Sequence, residues 1–97
     1  MIDAGDVHFA DLHEERRRKV LVVSRAQFHR LAGRAVVIPQ VFGAPDEVPF
    51  PWRIEFDGMV FAVDLMRTLP VERLLKRTGR APEPAMVAIR QALRMLV

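Results

Sequence analysis

The sequence predicts a small, mainly β domain of the α+β class: a strongly twisted β-barrel of about five strands with two or three short helices packed on it. Three observations predict this. Short runs dominated by β-branched residues and Leu recur along the chain, Val20-Leu21-Val22-Val23 and Ala35-Val36-Val37-Ile38 being the clearest. The connections between them are non-helical and punctuated by Gly and Pro, which favours antiparallel pairing over strand–helix–strand crossovers. An amphipathic stretch closes the chain. At 97 residues this is one domain, spanning 1–97, of a size that folds with little margin.

The elements follow in order. Residues 6–12 read as a first strand and residues 13–18 as a charged loop. Residues 19–24 read as a strand buried on both faces. Residues 26–31 suit a short helix, with Ser24 as N-cap and Gly33 as its stop. Residues 34–40 form the next buried strand, ended by Pro39. Gly43, Pro45, Pro49 and Pro51 make residues 42–51 a loop. Residues 52–56 alternate apolar and charged side chains, the mark of a half-exposed strand. Asp57-Gly58 marks a tight turn into a strand over 59–65. Pro70 is expected to open a short helix reaching Lys76 or Arg77, with Gly79 as C-cap. Pro82 and Pro84 precede a final helix whose apolar stripe is Ala85, Met86, Ile89, Leu93 and Leu96.

Composition narrows the function. The net charge is +3 and Arg far outnumbers Lys. Arg16, Arg17, Arg18, Lys19, Arg25, Arg30 and Arg34 form one group, opposed only by Glu14 and Glu15. A second runs from Arg67 through Arg73, Lys76, Arg77 and Arg80 to Arg90 and Arg94. Arg donates bidentately to phosphate, so this balance favours a polyanion: nucleic acid, or an acidic protein segment. Solvated faces are the competing reading. There is no Cys, which excludes disulfides and thiolate metal sites. No apolar run approaches the roughly 20 residues of a membrane span, and acids stand where a signal peptide carries positive charge. A cytoplasmic protein is expected.

The opening Gly5-Asp6-Val7-His8-Phe9-Ala10-Asp11-Leu12, followed by Arg16-Arg17-Arg18-Lys19 and Val20-Leu21-Val22-Val23-Ser24, resembles the start of the MazF/PemK family of toxins from type II toxin–antitoxin systems. The resemblance continues through Ala35-Val36-Val37-Ile38-Pro39, Asp64-Leu65-Met66-Arg67-Thr68-Leu69 with Val71-Glu72-Arg73-Leu74, and the C-terminal helix. It implies an SH3-like barrel. It also implies a metal-independent endoribonuclease of single-stranded RNA that uses the ribose 2′-hydroxyl as nucleophile, forms a homodimer and is silenced by an acidic antitoxin. Neither a cofactor nor a metal is implied. Arg18-Lys19-Val20-Leu21-Val22 fills the family's Arg-Pro-aliphatic-Leu-Val frame, so Arg18 inherits the active-site Arg. The family's Thr or Ser past the third strand falls on Val41, which has no hydroxyl. The first loop lacks the family's Gly-rich stretch, and Leu65 stands at a usually polar position.

Arg stays protonated, so Arg18 is read as a clamp on the phosphorane rather than as a base. His13, Glu14 and Glu15 lie in the right loop to take the 2′-hydroxyl proton, and His13 has the most suitable intrinsic chemistry. An exposed loop histidine is the competing reading. Arg16, Arg17 and Lys19 are assigned to phosphate tracking or to antitoxin contacts, Gln40 either to a base edge or to an ordinary loop polar group, and Asp64 either to the RNA groove or to an ion pair with Arg67. Phe42, Phe50 and Trp52 lie in or beside the long loop, where bases could stack, although Trp52 suits a core. The rival function is a non-catalytic toxin of the same fold, RNA-binding or CcdB-like and gyrase-targeting, or a degenerate regulatory member.

Overall fold

The computed structural model describes residues 1–42 and 50–97. Among these residues, seven strands and two helices run in the order β1 (Asp6–Ala10), β2 (Arg18–Val22), α1 (Ala26–Ala32), β3 (Arg34–Val41), β4 (Arg53–Phe56), β5 (Met59–Ala62), β6 (Arg67–Pro70), β7 (Leu74–Arg80) and α2 (Glu83–Leu96). Single 3₁₀ turns at Val63–Leu65 and Val71–Arg73 flank β6. All pairings are antiparallel, in the order β4-β5-β3-β2-β1-β7, with β6 also on β3. β4 and β7 do not pair, so the sheet curls like a barrel without closing.

Strand alternation sends consecutive side chains to opposite faces, and each face carries its own apolar cluster. Val7, Leu21, Ile38, Ile54 and Phe61 join Ala85, Ile89 and Ala92 of α2 on one. Ala10, Val20, Val22, Ala35, Val37, Leu69 and Leu74 make the other. This double burial explains the unbroken apolar runs of β2 and β3. The Asp57-Gly58 turn matches expectation, with φ of 51° and 72° in a two-residue hairpin joining Phe56 to Met59.

Several expectations are corrected. The helix expected from Pro70 is absent: Pro70 ends β6, and residues 74–80 form β7. Leu69 and Leu74 sit buried opposite Ala35 and Ala10, so pairing across the sheet overrides a helical spacing of Val71, Leu74 and Leu75. Gly79 is therefore no helix cap; it lies opposite Val7 beside a register shift. β5 stops at Ala62, because the chain turns through Val63–Leu65 to bring β6 onto β3. Ser24 caps nothing. Arg25 stands at the N-cap without a side-chain bond, and the first helical N–H, that of Ala26, donates to the Asp3 carboxylate at 3.0 Å. Gly33 does end α1, in the left-handed region at φ 65°. Pro84 lies inside the first turn of α2, and Leu96 is exposed, outside the buried stripe. The loop expected over 42–51 falls largely on residues 43–49, outside the described residues.

Candidate functional site

β2 begins at Arg18, and that start is the centre of the candidate site. The Arg18 Nη2 donates to Glu14 Oε2 at 2.9 Å, with both side chains partly exposed. Arg18 Nε is buried without a hydrogen-bond partner among the described residues. The guanidinium carbon lies 6.0 Å from the centre of the Phe42 ring, which is 74% exposed. β2 and β3 pair Val20 with Pro39 and Leu21 with Ile38. Continuing that register by two residues runs Arg18 toward Val41, just before Phe42. Arg18 and Val41, the positions matched to the family's Arg and hydroxyl residue, thus lie past the same end of the β2–β3 ladder, where β3 goes on to pair with β5.

The same alternation divides the residues that the sequence grouped together. Lys19 faces the other side of the sheet, where its Nζ stands 5.3 Å from the Phe9 ring, its cross-strand partner. Gln40 follows Ile38 onto that side, paired with Phe61. Arg16 and Arg17 are exposed in the loop before β2. His13 is exposed too, in the left-handed region at φ 60°, and its N–H donates to Asp11 Oδ1 at 3.0 Å. Its imidazole makes no hydrogen bond among the described residues. Asp64 is ion-paired with Arg53 Nε at 3.5 Å, not with Arg67. Trp52 packs against the α2-side cluster and stacks on Phe50 at 5.0 Å.

Sequence reasoning placed Glu14 in the right loop without seeing its partnership with Arg18. The signal was there: opposite charges four residues apart, in a loop tight enough to bring them together. No cluster of three or more His, Cys, Asp or Glu side chains suited to a metal occurs among the described residues. No helix among them is long and apolar enough to cross a membrane. Two shallow cavities, of about 240 and 300 Å³, are lined by residues other than Arg18.

A second polar assembly holds the N-terminus. Asp6 is buried; its Oδ1 accepts from Arg80 Nη1 at 3.0 Å and lies 3.3 Å from Arg77 Nε, while its Oδ2 accepts from Asp3 N–H at 3.0 Å. His29 Nδ1 donates to the Ile2 carbonyl at 2.9 Å. In the neutral ring Nε2 then accepts from the Ser24 hydroxyl at 2.6 Å, and Ser24 Oγ accepts Val36 N–H at 2.8 Å. N–H donation from Ala4 and then Ala26 holds the Asp3 carboxyl below its ordinary pKa, helped by the Arg80 charge and opposed by desolvation. These contacts fix the frame from which β1 and β2 project.

A family model described as PemK-like, MazF-like toxin of type II toxin–antitoxin system matches residues 3–97. No curated protein matches the sequence. Among solved structures, the chain resembles the MazE–MazF complex of Deinococcus radiodurans, with a TM-score of 0.83 and 23% identity over 98% of this chain and 93% of that one. It also resembles a mycobacterial endoribonuclease solved with its cognate antitoxin, at 0.80 and 21% over 98% and 93%. A third is the Mycobacterium tuberculosis toxin MazF-mt6, at 0.66 and 25% over 91% of each chain. At these identities the likeness speaks for the fold. With a family match running from residue 3 to residue 97, over a fold that matches independently, this chain belongs to the PemK-like, MazF-like toxins of type II toxin–antitoxin systems.

Proposed function

We propose that the chain is a metal-independent endoribonuclease that cuts single-stranded RNA through its own 2′-hydroxyl, with Arg18 as the phosphate clamp. The observation that carries this reading is Arg18 at the start of β2, with a carboxylate 2.9 Å away and a buried Nε without a partner among the described residues. An orphaned N–H on a permanent cation is costly unless an anion arrives to use it. The 2′-oxygen attacks the adjacent phosphorus as its proton passes to a base, and the 5′-oxygen leaves. The products are a 2′,3′-cyclic phosphate and a 5′-hydroxyl. Arg18 stabilises the charge that builds on the phosphorane.

Two groups compete for the proton. His13 has the better intrinsic chemistry; Glu14 has the better position, already against the clamp. Arg16 and Arg17 track phosphates, with Lys19 adding charge from the other face. Gln40 reaches a base edge from Lys19's side. Asp64 acts through Arg53, holding that cation in place. An acidic antitoxin segment competes for the same cations, and the working form is a homodimer; the complexes named among the structural neighbours support an antitoxin partner.

Val41 favours a second reading, a non-catalytic toxin of this fold. Incubating the pure protein with a long single-stranded RNA in EDTA tests both. Discrete cuts with 5′-hydroxyl ends, absent in Arg18→Ala, establish the nuclease. Intact RNA at high protein concentration transfers the weight to the non-catalytic reading.

A further inference from the structure

We propose that Phe42 is the stacking platform for the nucleobase beside the scissile phosphate; the inference rests on the nuclease reading. Three aromatic side chains border the loop between β3 and β4, and the structure separates them. Phe50 and Trp52 stack on each other, 5.0 Å apart and 9° from parallel, and Trp52 leans on the core. Phe42 belongs to neither apolar cluster and keeps 74% of its surface in water. Register also separates them. Gln40 and Ile54 both pair with Phe61, so β3 and β4 run in the same direction. Phe42 lies two residues beyond that level and Trp52 two residues before it, about 13 Å apart along the strands.

Phe42 alone of the three shares the Arg18 end, its ring 6.0 Å from the guanidinium carbon. A charged clamp and an open ring within one nucleotide's reach match the two chemistries of a nucleotide, an anionic phosphate and an apolar π-face. Single-strand binders pair these groups, and stacking tolerates any base because every base has such a face. Phe42 carries no donor or acceptor, so it fixes where a base sits and leaves base identity to other groups. Placement of the base also helps set the line between the 2′-oxygen and phosphorus, so loss of the ring raises KM and lowers kcat together.

The test uses the full chain and single-stranded RNA oligonucleotides spanning a mapped cut site. A 2′-deoxy substitution at the cut prevents attack, and 2-aminopurine is placed at each position in turn. Wild type is expected to change the fluorescence of 2-aminopurine at one position flanking the cut. Phe42→Ala is expected to abolish that change and weaken binding about 5- to 100-fold, while Phe42→Trp restores both. Unchanged binding and cleavage in Phe42→Ala overturns the proposal and leaves the nuclease standing. So does a Phe42→Trp variant as impaired as Phe42→Ala, or a Phe42→Ala defect confined to binding an acidic antitoxin peptide. A wild-type protein that neither binds nor cuts RNA overturns both readings together.

Discussion

Arg18 and Lys19 are neighbours in sequence that occupy opposite faces of β2: Arg18 meets Glu14 at 2.9 Å, while Lys19 meets the Phe9 ring at 5.3 Å. Their contributions are therefore expected to separate. Arg18→Ala should lower kcat by about 100-fold or more, and Arg18→Lys should not restore it, since an ammonium lacks the planar fork. Lys19→Ala should leave kcat nearly unchanged and weaken RNA binding in a way that salt masks. Single-turnover cleavage and binding at two ionic strengths read both.

Val41→Thr is expected to raise the cleavage rate, by up to about tenfold. The new hydroxyl would stand beside Arg18 and add a neutral hydrogen bond to the phosphate, worth roughly 0.5–1.5 kcal/mol. Val41 is half-buried, so the fold should tolerate the change. Comparing kcat of the two proteins on one RNA checks this; an equal rate would move the missing hydroxyl to another position.

Ser24→Ala should destabilise the fold by about 2 kcal/mol in urea unfolding, because it strips a partner from both Val36 N–H and His29 Nε2. Ser24→Thr should recover most of the loss. Ser24→Asp should not, although Asp is an excellent helix cap, because a carboxylate cannot donate to Nε2. Recovery by Asp would instead assign Ser24 to capping.

Asp3 links the N-terminus to acidity. Folding lowers its pKa through the N–H groups of Ala4 and Ala26, so the folded state favours the ionised carboxylate. Its stabilising contribution is complete above the unfolded value of about pH 4. It is lost as pH falls through the depressed folded value. Asp3→Asn should be less stable than wild type at neutral pH and approach it in acid. Urea midpoints from pH 7 down to pH 2.5 check the sign.

The legible parts of this fold were those governed by local chemistry. Val20 to Val22 and Ala35 to Ile38 announced buried strands, Asp57-Gly58 a hairpin, and the Ala85, Ile89 and Leu93 spacing the last helix. What stayed hidden was decided at long range. Val71, Leu74 and Leu75 carry a plausible helical spacing, and only the vacant edge of β1 makes residues 74–80 a strand. Ser24 looked like a cap because its actual partners, His29 and Val36, come from within α1 and from β3 and meet it only once the chain has folded. At the candidate site, the place of Arg18 at the start of β2 was legible. The division of Arg18 from Lys19 and Gln40 was not, because it depends on which face of a doubly buried strand each residue takes.

Asp6 and Arg80 meet across 74 residues, and β7 is the second neighbour of β1. Within this domain, β1 therefore waits for β7 before its sheet is complete. Such long-range pairing makes folding slow relative to local helix formation, and it also gates it. A nascent chain, or one truncated before Leu74, has Arg18 but no finished frame to hold it. For a member of a toxin family, assembly itself delays potency: the domain is complete only once β7 has been made.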